Sequence, residues 1–387
     1  MNESLKPFGS LWPQELDSWF RAILRQRPLP LPIVPAAIWS DWLAAVHHHR
    51  LGPLLYGWLR TRTLPPAVQQ GLQADFAASM GNTTFRWSEA TRVLTLLQQA
   101  NLHPILLKGC AMAEYYYTSP YLRPSTDIDI LLPEKEYTTA KAIMLANGYM
   151  PHIEVQTAAR QWKNQEAFIS PHAAHERGFF IELHWSLLPH RQLVPDTITP
   201  ALFHRAQHPT NTVALLHPAD ALLHTCFHAL YGHPEDIQLI WLYDIHLLVQ
   251  HIEDWTQLLQ MSQQWLARLA LIEALSLAQS WFGTTFPAIV TDLHHYPPSP
   301  AEQTIRNLAH IRRQRGAKDA KLEQDMLRLG QFTVWQQLVF VKNRLLPGRD
   351  ALDKGYPQFS DWPLPLAYLG RFTLFLQRQF QRRKPRG

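Results

Sequence analysis

The sequence predicts an α+β protein in which a small mixed β-sheet core is flanked by N- and C-terminal helical regions. Three observations carry this. Apolar residues recur at three- and four-residue steps over residues 1–100. Short apolar runs bounded by glycine and polar loops replace them over 101–190. Helical spacing then returns over 191–387. The domain organisation follows the same boundaries: an N-terminal helical region, a central core, and a C-terminal helical region ending in a basic tail.

The elements follow in order. "LWPQELDSWFRAILRQ", "AAIWSDWLAAVHHHRLGPLLYGWLR" and the long stretch beginning "PAVQQGLQADF" are helical by period, and the proline-rich breaks "RPLPLPIVP" and "TLPP" separate them. "HPILLKG" is a short apolar run ended by Gly109, as a buried strand would be, and "CAMAEYYY" suits a short helix after it. "DIDILL" is a second strand. "EKEYTTAKAIMLANGY" has helical spacing and a glycine, Gly148, at its C-terminal end. "AFIS" and "FFIELHW" read as two strands joined by the polar loop "PHAAHERG". Beyond them "PADALLHTCFHALYG", "IQLIWLYDIHLLVQHI" and "WTQLLQMSQQWLARLALIEALSLAQSWFG" are helices.

Composition narrows the class. With 46% apolar and 17% charged residues over 387 positions, the chain can bury a sizeable core and is not a disordered one. Two cysteines, Cys110 and Cys226, leave no disulfide framework, which favours a reducing cytoplasm. The N-terminus has no apolar stretch of signal-peptide length, and the greasiest later segment is broken by Arg268 and Glu273, so no membrane span is expected. The formal charge of +5 is unevenly placed: Arg371, Arg378, Arg382, Arg383, Lys384 and Arg386 occur without an acid after residue 370, and "RNLAHIRRQRGAK" is a second basic cluster. Such patches meet phosphates or acidic surfaces, or serve simply as solvated helix faces.

The chemistry-bearing residues lie in the central zone. Successive strand side chains alternate faces, so Asp127 and Asp129 share one face while Ile128 and Ile130 share the other. Two carboxylates so placed repel unless a cation sits between them, and Mg²⁺ prefers hard oxygen ligands that leave room for phosphates. Taken alone, the pair reads more readily as a capped turn after "RPST" with one aspartate in water. Glu182 in "FFIELHW" shares its face with Phe180 and His184 and suits either an edge strand or a site. Gly109 follows a strand and opens a helix, where free N–H groups and the helix dipole favour phosphate, and Lys108 adds a cation; such a junction is also a common structural turn. Neither P-loop spacing nor a dinucleotide-binding glycine pattern is present.

The order "LLKG", "YLRPSTDIDILL", "NGY", "IELHW" resembles the nucleotidyltransferases of the DNA polymerase beta-like superfamily. More closely it is similar to a bacterial "nucleotidyltransferase family protein" group with an LKG…R…DID…LHW pattern, over residues 80 to 250. The resemblance implies an Mg²⁺- or Mn²⁺-dependent enzyme that moves an NMP group from an NTP to an acceptor and releases pyrophosphate. It makes Asp127 and Asp129 metal ligands, and Glu182 a third metal-binding carboxylate that assists the base step. It places Lys108, Gly109, Cys110 and Arg123 at the nucleotide, with His184, His228 and Asp244 in support, although His228 and Asp244 read more readily as a structural pair between helices. Cys110 stands where a serine is usual. Arg123 either meets the triphosphate or pins a loop through an ion pair. Gln238 stands where the group often has arginine, which puts a partner for Asp244 in doubt. Loss of Asp127 or Asp129 is then expected to abolish turnover without unfolding the chain.

Two other readings compete. His224 and His228 at i and i+4, with Cys226 and His233 nearby, have the spacing of a zinc site but lack the glutamate of a metallohydrolase helix. A non-catalytic scaffold on a decayed nucleotidyltransferase core would bind nucleic acid or a partner protein, and the intact carboxylates argue against it. "HHH" at 47–49 reads as polar surface. The acceptor, whether small molecule, peptide, protein or RNA, and the oligomeric state leave no signal in the sequence.

Overall fold

The computed structural model describes residues 13–27, 29–152, 164–172, 180–188, 197–292, 297–319 and 356–382, together with the single positions 342, 346, 349 and 352. Arg383, Lys384 and Arg386 of the basic tail, and most of the "PHAAHERG" loop, lie outside the described residues.

Four helices come first: α1 (Gln14–Leu24), α2 (Ala36–His48), α3 (Gly52–Leu59) and α4 (Pro66–Gln99). Prolines mark their starts: Pro35 precedes α2, Pro53 lies in the first turn of α3, and Pro66 opens α4. Proline is tolerated there because the first-turn N–H groups have no intrahelical partner to lose. The central zone follows as β1 (Ile105–Leu107), α5 (Lys108–Tyr115), β2 (Asp127–Leu131), α6 (Tyr137–Ala146), β3 (Met150–Pro151), β4 (Gln165–Ile169) and β5 (Phe180–His184). Four of these strands are the apolar runs read above; β3 is only two residues long and too short to show a period. Gly148, at the end of α6, has the left-handed φ of +83° its place there calls for.

The remaining helices are α7 (Ile198–Arg205), α8 (Pro218–Phe227), α9 (Leu239–Val249), α10 (Trp255–Gln264), α11 (Arg268–Phe282), α12 (Ile289–Asp292), α13 (Pro300–Asp319) and α14 (Leu364–Arg382). One π turn, His228–Gly232, continues α8. No described helix is long and apolar enough to cross a membrane.

The five strands form one mixed sheet in the order β1-β2-β5-β4-β3. Strands β2 and β5 are parallel and every other pair is antiparallel. The register of the parallel pair sets Asp129 opposite Glu182 and Asp127 opposite Phe180. On one face, Ile128, Ile130, Ile181 and Leu183 pack with Val93, Leu94 and Leu97 of α4 and with Tyr137 and Met144 of α6 in a closed apolar layer. The opposite face carries the carboxylates. At its edge Ile105, Leu107 and Leu131 join a second core built jointly by α1–α3 and α8–α11, with Trp19, Trp42, Leu222 and Trp281 among its buried members. One face of the sheet is therefore sealed, and the other opens on the helices of both flanking regions.

The "HHH" stretch is polar surface at His47 and His48, which are exposed and lie 2.7 Å from Asp75 and 2.8 Å from Asp236, but not at His49, which is fully buried beside the start of α9. Part of the second basic cluster is likewise engaged: Arg312 pairs with Glu235, and Arg313 with Glu273.

Candidate functional site

The junction between β1 and α5 positions the first components. Lys108 adopts a left-handed φ of +47°, a conformation that costs a lysine about 1–3 kcal/mol and is held only where the surroundings impose it. Gly109 is next. A Cβ there would lie 2.4 Å from Ser125 Oγ, so the loop before β2 passes too close for any side chain. The Cys110 thiol lies 3.6 Å from the Asp127 carbonyl oxygen, and burial pushes its pKa up to about 12. It packs against strand β2 instead of lining the adjoining cavity, so an anion at this turn would be met by backbone N–H groups. Ser125 supplies the nearby hydroxyl that position 110 lacks: it lines the cavity and donates to the Asp127 carbonyl at 2.9 Å.

Strand pairing places the acidic groups. Asp129 is 1% exposed yet ionised, because Lys108 Nζ lies 2.6 Å and His184 Nε2 2.8 Å from its Oδ1. Burial would raise its pKa, and the cation and hydrogen bonds prevail, holding it well below the usual carboxylate range. Asp127 lacks such partners: among the described residues its Oδ1 accepts only from Thr126 Oγ1 at 3.4 Å. Burial, followed by the charge of Asp129, raises its pKa to about 6. Glu182 accepts a hydrogen bond from Gln165 and lies 3.6 Å from His184 Nε2. Burial and the charge of Lys108 depress the imidazole's pKa, but its bonds to Asp129 and Glu182 outweigh them and leave it raised.

Asp129, Glu182 and His184 each offer one ligand atom, all within 4.8 Å of one another, and form the one such group among the described residues. Two carboxylates and an imidazole suit a divalent cation, the carboxylates favouring Mg²⁺ or Mn²⁺. His184, expected only in support, thus stands level with the carboxylates. Asp127 shares their strand face but lies outside the group. His224, Cys226, His228 and His233 do not assemble into a ligand cluster, so the zinc reading falls away.

A cavity of about 240 Å³ opens from this face. Lys108, Gly109, Arg123, Asp127 and Asp129 line it on the sheet side, while His228, His233, Gln238, Trp241 and Asp244 line the helical side. His228 lies on the π turn, with its ring 4.9 Å from both His233 and Trp241, and burial holds its pKa well below normal. It does not pair with Asp244. Arg123 does: its Nη2 lies 2.7 Å from Asp244 Oδ2, its Nε bonds both carboxylate oxygens, and Tyr117 donates to Oδ1 at 2.7 Å. Asp244 therefore has its partner without an arginine at position 238, and Arg123 is committed to pinning the loop before β2.

Several lining residues carried no readable signal: Arg50, Ser125, Thr126 and Asp236. Gln238 is 6% exposed, and its Oε1 has no hydrogen-bond partner among the described residues.

Residues 35–283 match the model of a single protein family, described as an uncharacterised nucleotidyltransferase. No curated protein and no solved structure matches the chain. The match is wider than the 80 to 250 suggested by the motifs: it takes in α2, α3 and α11 and stops before α12.

Proposed function

The chain belongs to this family of uncharacterised nucleotidyltransferases, and from that premise we propose that it moves an NMP group from a nucleoside triphosphate to a hydroxyl-bearing acceptor. The acceptor oxygen bonds to the α-phosphorus as the bond to the β-phosphate bridging oxygen breaks. Pyrophosphate leaves, and the acceptor's proton passes to the Glu182 carboxylate, which Gln165 and His184 hold in place.

The observation that carries the reading is the side-by-side register of Asp129 and Glu182 on parallel strands, with Asp129 lining a cavity beside Asp127, Lys108 and Gly109. Asp129, Glu182 and His184, with Asp127 on the same face, would hold Mg²⁺ or Mn²⁺, which would polarise the α-phosphoryl group and offset its charge. The protein's own share is positioning and charge. Backbone N–H groups at Gly109 and the N-terminus of α5 meet phosphate oxygens, and Lys108 adds a cation at the buried end. Arg123 contributes indirectly, by fixing the loop that carries Ser125 and Thr126 against Gly109.

The test is equilibrium binding of each of the four NTPs with Mg²⁺ and with EDTA. At least one NTP is expected to bind and to be released by chelation. Binding by none of the four would sink the transferase reading and favour a non-catalytic scaffold.

A further inference from the structure

Three permanently cationic side chains line the cavity: Lys108, Arg123 and Arg50. The first two are committed. Lys108 neutralises Asp129, and Arg123 is locked on Asp244. Arg50 forms no ion pair among the described residues. The one side-chain hydrogen bond it makes among them, to Thr126 Oγ1, is 3.5 Å long, at the outer limit for such a bond.

Arg50 reaches the cavity from outside the sheet domain. The end of α2 turns through Arg50 N–H to His47 O and Leu51 N–H to Val46 O, with Arg50 at φ +57° in the position where glycine is usual. Gln26, Asn101 and Leu266 end their helices in the same conformation, so the backbone angle is not itself the argument. What matters is where this turn delivers the guanidinium. Burial, then the charges of Arg123 and Arg86, work against the Arg50 cation, while the charges of Asp127 and Asp236 favour it. A guanidinium half-buried on a cavity wall, with no ion-pair partner among the described residues, is matched by a polyanion. Its planar fork suits phosphate oxygens.

Position along the cavity selects which phosphate. Asp129, in β2, marks the reacting end. Thr126, which Arg50 reaches, lies in the bend just before β2, three residues back and at most roughly 10 Å away. Gly109 and Ser125 line the cavity as well.

We propose that Arg50 binds the β- and γ-phosphates of the incoming nucleotide and makes the site selective for triphosphates. This rests on the nucleotidyltransferase reading and deepens it: the N-terminal helices supply part of the substrate pocket.

The experiment is titration of the full-length protein, with Mg²⁺, by each of the four NTPs and the corresponding NMPs. Wild type is compared with Arg50→Asn, which tolerates the left-handed backbone, and with Arg50→Lys, which keeps the charge. Arg50→Asn is expected to lose roughly 10- to 100-fold in affinity for the bound NTP. Its NMP affinity and melting temperature should stay at wild-type values, so the triphosphate preference collapses; Arg50→Lys should retain part of it. Equal loss for NTP and NMP, or no loss for NTP, overturns the assignment of Arg50 while leaving the transferase reading intact. Failure of the wild type to bind any nucleotide overturns both.

Discussion

Asp127 and Asp129 share one face of one strand, yet their surroundings differ enough to separate what their loss would do. Asp129 compensates two buried groups, Lys108 and His184, whereas Asp127 compensates none so closely. Asp127→Asn should therefore cost about 100-fold or more in turnover at a near-wild-type melting temperature. Asp129→Asn should cost activity and also about 3–5 kcal/mol of stability, because an uncompensated buried ammonium remains. Denaturant unfolding beside an activity assay checks both, and a fully stable Asp129→Asn protein would contradict the ion-pair account. Arg123 and Asp244 follow the same logic: either single change to leucine should destabilise by about 3–5 kcal/mol, and the double change by clearly less than the sum. The aspartates, Glu182, Lys108 and Gly109 were legible because strand alternation and a strand–glycine–helix junction are local patterns. The fate of Arg123 was not, since its partner lies 121 residues away.

At the scale of elements, packing between α2 and α9 links helix ends to pH. His49 Nδ1 accepts the backbone N–H of Leu239 at the start of α9, 3.4 Å away, so the imidazole must be neutral to do so. Burial, then the neighbouring His48, lowers its pKa from 6.5 to about 4. A depressed histidine stabilises the fold fully above its unfolded pKa and loses that contribution as pH falls through 6.5 toward 4, an effect of about 3 kcal/mol. Melting curves from pH 7.5 to 4 should show a steeper loss for wild type than for His49→Asn, and parallel curves would remove His49 from the explanation. Helix periods and proline breaks made most elements readable. "HHH" misled only at its last residue, because three successive histidines look solvated on any helical wheel. Only the left-handed turn at Arg50 and the arrival of α9 turn His49 inward and bring Arg50 to the cavity. Nor could the sequence reveal the parallel register of β2 and β5, which a 48-residue separation conceals and which alone sets Asp129 beside Glu182.

For the whole molecule, the sheet depends on helices from both sides of the sequence. Its sealed face is covered by α4, and α8 and the π turn help wall the cavity on the other. A fragment of residues 101–190 should therefore lack cooperative unfolding and dispersed amide resonances, since Val93, Leu94 and Leu97 would be missing from its core. A folded fragment would show that the sheet stands alone. The family match spans these contributors, since α9 and the turn after α2 both supply lining residues on either side of the motif-bearing strands. The central claim, transfer of a nucleotidyl group, is tested most directly with NTPs labelled at the α- or the γ-phosphate, incubated with the protein, Mg²⁺ and a cell extract. Label from the α-phosphate should become covalently attached to an acceptor in the extract, label from the γ-phosphate should appear in pyrophosphate, and Asp127→Asn should abolish both. Transfer of the γ-label to an acceptor, or undiminished α-transfer by Asp127→Asn, would contradict the account.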